Sequence, residues 1–258
     1  MRSSPPVMRS IARFVLVLLA LAVPARASEE MPEGFVYLRD VDPTIEQDMR
    51  YAGPSNFTGA PVAGYGAAEC VLARPAAEAL KRVQDAVAAR GLTLKVYDCY
   101  RPARAVASFI DWAKEPDDLK AKDIYYPNLD KRALFPDYIA TRSGHSRGAT
   151  VDLTLKPRDA KPPKPDDLPR ACIAPQKGQA PDGSVAMGTS FDCFDVKANT
   201  EAPGLSDEAR ANRAALVTAM QAQGFENYPM EWWHFTYTPE PYPDTYFDFP
   251  ITPHGTPE

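Results

Sequence analysis

Apolar positions recur at helical spacing in three stretches of the chain and alternate in several shorter ones. Residues 75–90 place Leu80, Val83 and Val87 on one face, open with a proline in the first turn and stop at Gly91, which predicts a helix. Residues 92–97 alternate, with Leu92, Leu94 and Val96 on one face, and predict a strand. A second helix is predicted over 102–114, burying Val106, Phe109, Ile110 and Trp112. A third runs from a Ser206 cap, through Asp207 and Glu208 in its first turn, to Gln223, and Gly224 stops it. Residues 151–155 and the aromatic segment 231–237 predict strands, and 34–38 and 45–51 predict short extended pieces around the Asp42-Pro43 turn. Residues 52–69 are a loop region, 115–140 are mixed, and 156–170, with five prolines, read as a surface loop. With no internal repeat and no linker, the pattern predicts one α+β domain whose helices pack on a small, mostly antiparallel sheet.

The N-terminus follows a different rule. Arg2, Arg9 and Arg13 precede an unbroken apolar run over 14–23, and Pro24 leads into Ala25-Arg26-Ala27. A basic start, a run of this length and a small-x-small site predict a secretory signal peptide over 1–27, leaving a mature chain of 28–258. The run is too short to cross about 30 Å of hydrocarbon, and no Cys follows it to carry a lipid. The 258 residues are 45% apolar and 24% charged, a globular composition. The 27 prolines against 14 glycines point to stiff loops and exclude a solenoid, a coiled coil or a multi-span membrane protein. Net charge is −5, and removal of 1–27 leaves 25 basic and 34 acidic residues, a charge of −9. That balance offers no basic stripe to nucleic acid and nothing to anionic lipid. Cys70, Cys99, Cys172 and Cys193 have no C-x-x-C spacing, and an even count in an exported chain predicts two disulfides. Cys172–Cys193, closing the proline-rich excursion, and Cys70–Cys99, tying a loop to a strand end, are the favoured pairs; free buried thiols are the alternative.

The chain has three histidines, so each one can be examined. His254, in a proline-rich tail, reads as solvated. His145 lies in Ser143-Gly144-His145-Ser146-Arg147-Gly148, seven residues before Asp152, and His234 closes Glu231-Trp232-Trp233-His234. A catalytic zinc needs three N or O ligands and one open position. His145, Asp152 and His234 supply such a set, and Glu231 is left over as a proton carrier. Seven is an odd spacing, so in one straight strand His145 and Asp152 would face opposite ways. Gly144 and Gly148 would let His145 sit on the preceding loop while Asp152 points inward from the strand. Glu231 and His234 are three apart, which puts Glu231 at the strand entrance just after Pro229. Spacing alone also admits a capped loop at His145, a core edge at Asp152 and a structural aromatic strand.

A set of segments spread along the chain carries more. These are Met49-Arg50-Tyr51, Asn56-Phe57-Thr58-Gly59, Asp98-Cys99-Tyr100-Arg101-Pro102 and Tyr125-Tyr126-Pro127-Asn128, followed by the His145 segment, Met187-Gly188-Thr189-Ser190-Phe191-Asp192, Glu231 to His234, and Tyr246-Phe247-Asp248-Phe249-Pro250. In order and over nearly all of the mature chain, they resemble the zinc D-alanyl-D-alanine dipeptidases of the vancomycin-resistance type, within the D-Ala-D-Ala metallopeptidases. The resemblance implies a hedgehog-like fold around one zinc ion held by His145, Asp152 and His234. It implies Glu231 as general base and then acid, and Arg101 as the cation that stabilises the oxyanion. Arg101 otherwise reads as a surface cation in a helix's first turn, where the dipole disfavours it. The resemblance further implies that Tyr51 and Asp192 hold the substrate's ammonium and that Ser143 helps bind its carboxylate, the substrate being a small D-amino-acid dipeptide.

Three departures stand out. The resistance enzymes are cytoplasmic, whereas this chain carries the expected leader, so a periplasmic role in wall turnover or recycling is expected. Gly144 stands where they commonly have Ser. The cysteine-bearing insertion over 156–186 is expected to reshape the pocket rim. Two alternatives remain beside the dipeptidase: a D,D-carboxypeptidase trimming muropeptides, which needs no ammonium clamp, and a non-catalytic zinc- or wall-binding module, which needs neither Glu231 nor Arg101. A two-His, one-carboxylate set also serves iron, and only the resemblance chooses zinc.

Overall fold

The computed structural model describes Met1 and residues 30–160, 171–177 and 179–255. Apart from Met1, the expected signal peptide lies outside the described residues, as do residues 161–170 of the proline-rich loop. Among the described residues no helix is long and apolar enough to cross a membrane. Strand β1 (Phe35–Tyr37) runs into the single-turn helix α1 (Leu38–Val41), then β2 (Glu46–Gln47), β3 (Val71–Ala73), α2 (Arg74–Ala88) and β4 (Leu92–Asp98). After β4 come α3 (Ala103–Ala113), the short α4 (Lys122–Tyr125), β5 (Thr150–Pro157), α5 (Asp207–Gln221), β6 (Phe225–Asn227) and β7 (His234–Tyr237).

The three long helices form where periodicity places them, and the Ser206 side chain accepts the Ala209 N–H at 3.2 Å as the expected cap. Strands β3 and β6 are three residues each, too short to show a period. Two predicted boundaries move. The extended piece expected over 45–51 ends at Gln47, and Arg50–Ala52 is a 3-10 turn that buries Tyr51. Strand β7 starts at His234, because the Glu231 N–H bonds the Tyr228 carbonyl and the His234 N–H bonds the Glu231 carbonyl in a tight turn. Glu231 therefore sits at the strand entrance, where its sequence position put it.

The main sheet has five strands in the order β2-β4-β5-β7-β6, with β2 parallel to β4 and every other pairing antiparallel. Strands β1 and β3 form a separate antiparallel pair. Helices α2 and α5 pack on the main sheet and on each other, bringing Leu80, Val83, Leu216 and Met220 into the core with Leu94, Val96 and Phe235. The middle of β5 is buried throughout, so its polar row of Thr150, Asp152 and Thr154 is as enclosed as its apolar row. A strand that buries carboxylate and hydroxyl groups must give them partners, and this is where the site forms.

Both favoured disulfides are present, Cys70–Cys99 and Cys172–Cys193. His254 is not simply solvated: Nε2 lies 2.8 Å from Asp40 and its ring packs edge-on to Tyr37. The excursion after β5 returns to the sheet through Asp182, whose carboxylate accepts from the Tyr97 hydroxyl and lies 3.4 Å from both Lys95 and Arg50. Lys95 is buried and also meets Asp48 at 2.9 Å. Burial pushes the Asp182 carboxyl up, but Lys95, the Tyr97 hydroxyl and Arg50 outweigh it and hold the group at about 2, below the ordinary 3.8. A depressed carboxyl stabilises the fold above its unfolded value, and that contribution disappears as pH falls toward the folded one. Asp182→Asn is thus expected to be about 2 kcal/mol less stable than the parent at pH 6 in denaturant titrations, with the gap closing between about pH 4 and pH 2.

Candidate active site

Sheet register assembles the site. Asp98 pairs with Asp152, and Asp152 with His234, so the three residues form one row across β4, β5 and β7. The register slips between Val96 and Asp98, and that irregularity at the end of β4 brings Asp98 opposite Asp152. His145 comes from a 3-10 turn, Gly144–Arg147, whose first N–H groups are capped by Ser143: its Oγ accepts from the His145 N–H at 3.3 Å. Of the two glycines expected to turn the chain, Gly148 is the one that needs to be glycine. Its φ is +80°, and a Cβ there would lie 2.2 Å from the Phe35 ring.

The ring atoms of His145 and His234 and a carboxylate oxygen of Asp152 all lie within 4.8 Å of one another. His145 Nε2 is 3.3 Å from Asp152 Oδ1, and His234 Nδ1 is 3.1 Å from the same oxygen. The opposite nitrogen of His145, Nδ1, meets the Cys99 carbonyl at 2.8 Å. A carbonyl only accepts, so Nδ1 carries the proton and Nε2 presents its lone pair to the cluster. Asp152 Oδ1 is buried without a hydrogen-bond partner. Burial pushes the Asp152 carboxyl up, and positive charge on the two imidazoles would outweigh that and hold it well below the usual carboxylate range. Electron-pair donors of N and O type converging on one buried point suit a divalent cation, so this group could hold an ion.

Arg101 lies just beyond β4, where the chain turns into α3. Its Nε and Nη2 each lie 2.9 Å from Asp98 Oδ2, and Nη2 lies 3.6 Å from Asp152. Asp98 is fully buried and also accepts the Tyr65 hydroxyl at 2.6 Å. Asp98 is the residue that sequence reasoning left without a role: it fixes Arg101 and lies 3.5 Å from His145 Nδ1. Its signal was the acid–cation spacing of three within Asp98 to Arg101.

Two predicted ammonium-binding residues meet each other. The Tyr51 hydroxyl donates to both oxygens of Asp192 at 3.0 and 2.9 Å. Asp192 is buried and adopts φ +58°, an uncommon backbone conformation for a non-glycine residue. Burial, then the charge on Asp152, push its carboxyl well up. The same burial, with Asp192 beside it, raises the Tyr51 phenol well above its ordinary value and keeps it a donor. Glu231, also buried, lies 3.5 Å from His234 Nδ1. Burial, then Asp152, push it up to about 8, and a cation held beside it would draw that value down.

All eight predicted site residues belong to this neighbourhood. Tyr51, Arg101, Ser143, Asp152, Asp192, Glu231 and His234 line one cavity of about 290 Å³, and His145 lies buried beneath it. That volume is at the small end of ligand pockets. Trp233 forms part of the wall, while Trp232 lies in the core with its indole N–H donating to Thr189 Oγ1 at 2.8 Å. Phe57, Val106, Phe109, Phe194, Tyr228 and residues 136–140, 142 and 144 complete the lining. The insertion expected to reshape the rim does not do so with its described part: none of residues 156–160, 171–177 or 179–186 lines the cavity, and Asp182 clips the last stretch to the sheet instead.

The sequence profile of the D-Ala-D-Ala dipeptidase family (peptidase M15) matches residues 31–163 and 178–252. This chain belongs to that family. It is 37% identical to a D-alanyl-D-alanine dipeptidase of Enterococcus faecium over 222 residues, 86% of this chain and the whole of that protein. A D-alanyl-D-alanine dipeptidase of Streptomyces coelicolor is 39% identical over the same share of both chains, and one of Escherichia coli is 29% identical over 78% of this chain. Membership makes the chain a peptidase, a hydrolase, and agrees with the mixed α+β fold and a metal at the His/Asp/His group. Metal analysis of the purified protein is expected to find one divalent ion per chain. Chelation should lower the melting temperature and added zinc restore it, and neither response should survive in Asp152→Asn.

Proposed function

We propose that the chain hydrolyses free D-Ala-D-Ala to two molecules of D-Ala in a zinc-dependent reaction, outside the cytoplasm, in peptidoglycan turnover or recycling. The observation that carries this reading is a buried Asp192–Tyr51 pair lining the same small cavity as Glu231, Arg101 and the His/Asp/His group. A buried carboxylate facing a cavity calls for a cation, and the free ammonium of a dipeptide supplies one. The names of the relatives support the same substrate. Two disulfides support an oxidising compartment, as does the expected leader over 1–27.

On this reading His145, Asp152 and His234 would hold the ion. Zinc bound there would supply Lewis acidity toward water and the scissile carbonyl. Glu231 takes a proton from the attacking water as the C–O bond forms and returns it to the leaving amide nitrogen as the C–N bond then breaks, so one water is consumed. Arg101, held by Asp98 so that it need not reorganise, faces the negative charge that develops on the carbonyl oxygen. Asp192, with Tyr51 donating to it, binds the ammonium, and Ser143 binds the carboxylate.

Release of D-Ala is measured from D-Ala-D-Ala and from the same dipeptide end on an amino-blocked peptide. Cleavage of the free dipeptide alone is expected. Cleavage of the blocked peptide would make the chain a carboxypeptidase, and silence on both with zinc bound would make it a binding module. Glu231→Ala is expected to lower kcat by about 10²–10⁴ with zinc still bound, the size of a lost general acid–base.

A further inference from the structure

The cavity is supplied with acids and has two cations. One of them, Arg101, is committed to Asp98 and Asp152. The other is Arg142, in the rim segment immediately before Ser143. Its guanidinium carbon lies 3.8 Å from the centroid of the Tyr246 ring, and no carboxylate lies within ion-pair distance of it among the described residues. The contrast with Arg147 is direct. Arg147 approaches the same ring at 5.7 Å, but it is tied to Glu240 at 2.8 Å and donates to the Tyr246 hydroxyl. That second contact fixes the ring on which Arg142 lies.

We propose that Arg142 is a specificity residue that recognises the free C-terminal carboxylate of the substrate, with Tyr246 as the shelf that holds its guanidinium at the rim. This deepens the dipeptidase reading and rests on it. A zwitterionic dipeptide whose ammonium meets buried Asp192 carries its carboxylate away from that group, and a planar fork of N–H donors matches a carboxylate better than any other side chain. Stacking on an aromatic face leaves the fork's edge free to donate while limiting its rotamers. Ser143, next in the chain, is partly committed to capping the His145 turn, so a neutral hydroxyl alone supplies little of the charge that a carboxylate needs. An exposed cation at the rim also accounts for selectivity without burying an unpaired charge.

The test compares D-Ala-D-Ala with its C-terminal amide, using the full-length mature protein loaded with zinc. In the parent, kcat/KM is expected to favour the free acid. Arg142→Ala should reduce that preference about tenfold, mainly through KM for the acid. Arg142→Lys should recover part of it, since the charge remains but the flat fork does not. Raising the salt concentration should weaken acid binding by the parent and leave the alanine variant less affected. An acid-to-amide preference that is the same in parent and Arg142→Ala overturns the proposal, as does an equal loss on both substrates. A parent that cleaves neither compound overturns the dipeptidase reading itself, so the two failures are distinguishable.

Discussion

Four carboxylates, Asp98, Asp152, Asp192 and Glu231, lie buried around one guanidinium and two imidazoles. That excess of negative charge is the constraint on which the rest of the site depends. An interior carboxylate is expensive unless a cation or several donors face it, and the chain resolves each one differently. Asp98 has Arg101 and the Tyr65 hydroxyl. Asp152 faces two imidazoles. Asp192 has the Tyr51 hydroxyl and is pushed well up, and Glu231 is pushed up to about 8. The site is thus short of positive charge, which is the electrostatic condition for holding a metal ion and a substrate ammonium.

The framework that imposes this constraint is rigid where it has to be. One row of paired residues crosses three strands, and the Cys99 carbonyl that orients His145 belongs to a residue covalently tied to Cys70. The cysteine that ties a loop to the end of β4 therefore also fixes the tautomer of His145. The same strand, β4, presents Lys95 and Tyr97 to Asp182, so the excursion beyond β5 is tied to the sheet at that residue. Among the described residues, 136–140 and 142–144 shape the rim, in a stretch whose composition reads only as mixed and then as the lead-in to His145.

Much of this was legible in the residues, and the reasons differ from place to place. The helices over Arg74–Ala88 and Asp207–Gln221 were readable because a periodic apolar face and local stop signals act within one turn of each other. Strands β3 and β6 were not, because three residues carry no period and form only when a partner supplies their hydrogen bonds. His145, Asp152, His234 and Glu231 could be named because few residue types hold a metal or move a proton, and the order of motifs along the chain matched a known family. Asp98, Arg142 and Tyr246 acquired meaning only from what faces them.

By itself, then, the sequence determined which side chains could do chemistry, where the long helices start and stop, and that the sheet would be small and mostly antiparallel. These are properties of residue type and of neighbours three or four positions apart. The tertiary structure decided the rest: that β4, β5 and β7 pair in a register that aligns Asp98, Asp152 and His234, that Tyr51 meets Asp192 across 141 residues, and that the described part of the insertion does not line the cavity. Register and long-range pairing depend on how whole elements pack, because a slip of one residue in a strand would turn Asp98, Asp152 or His234 to the opposite face.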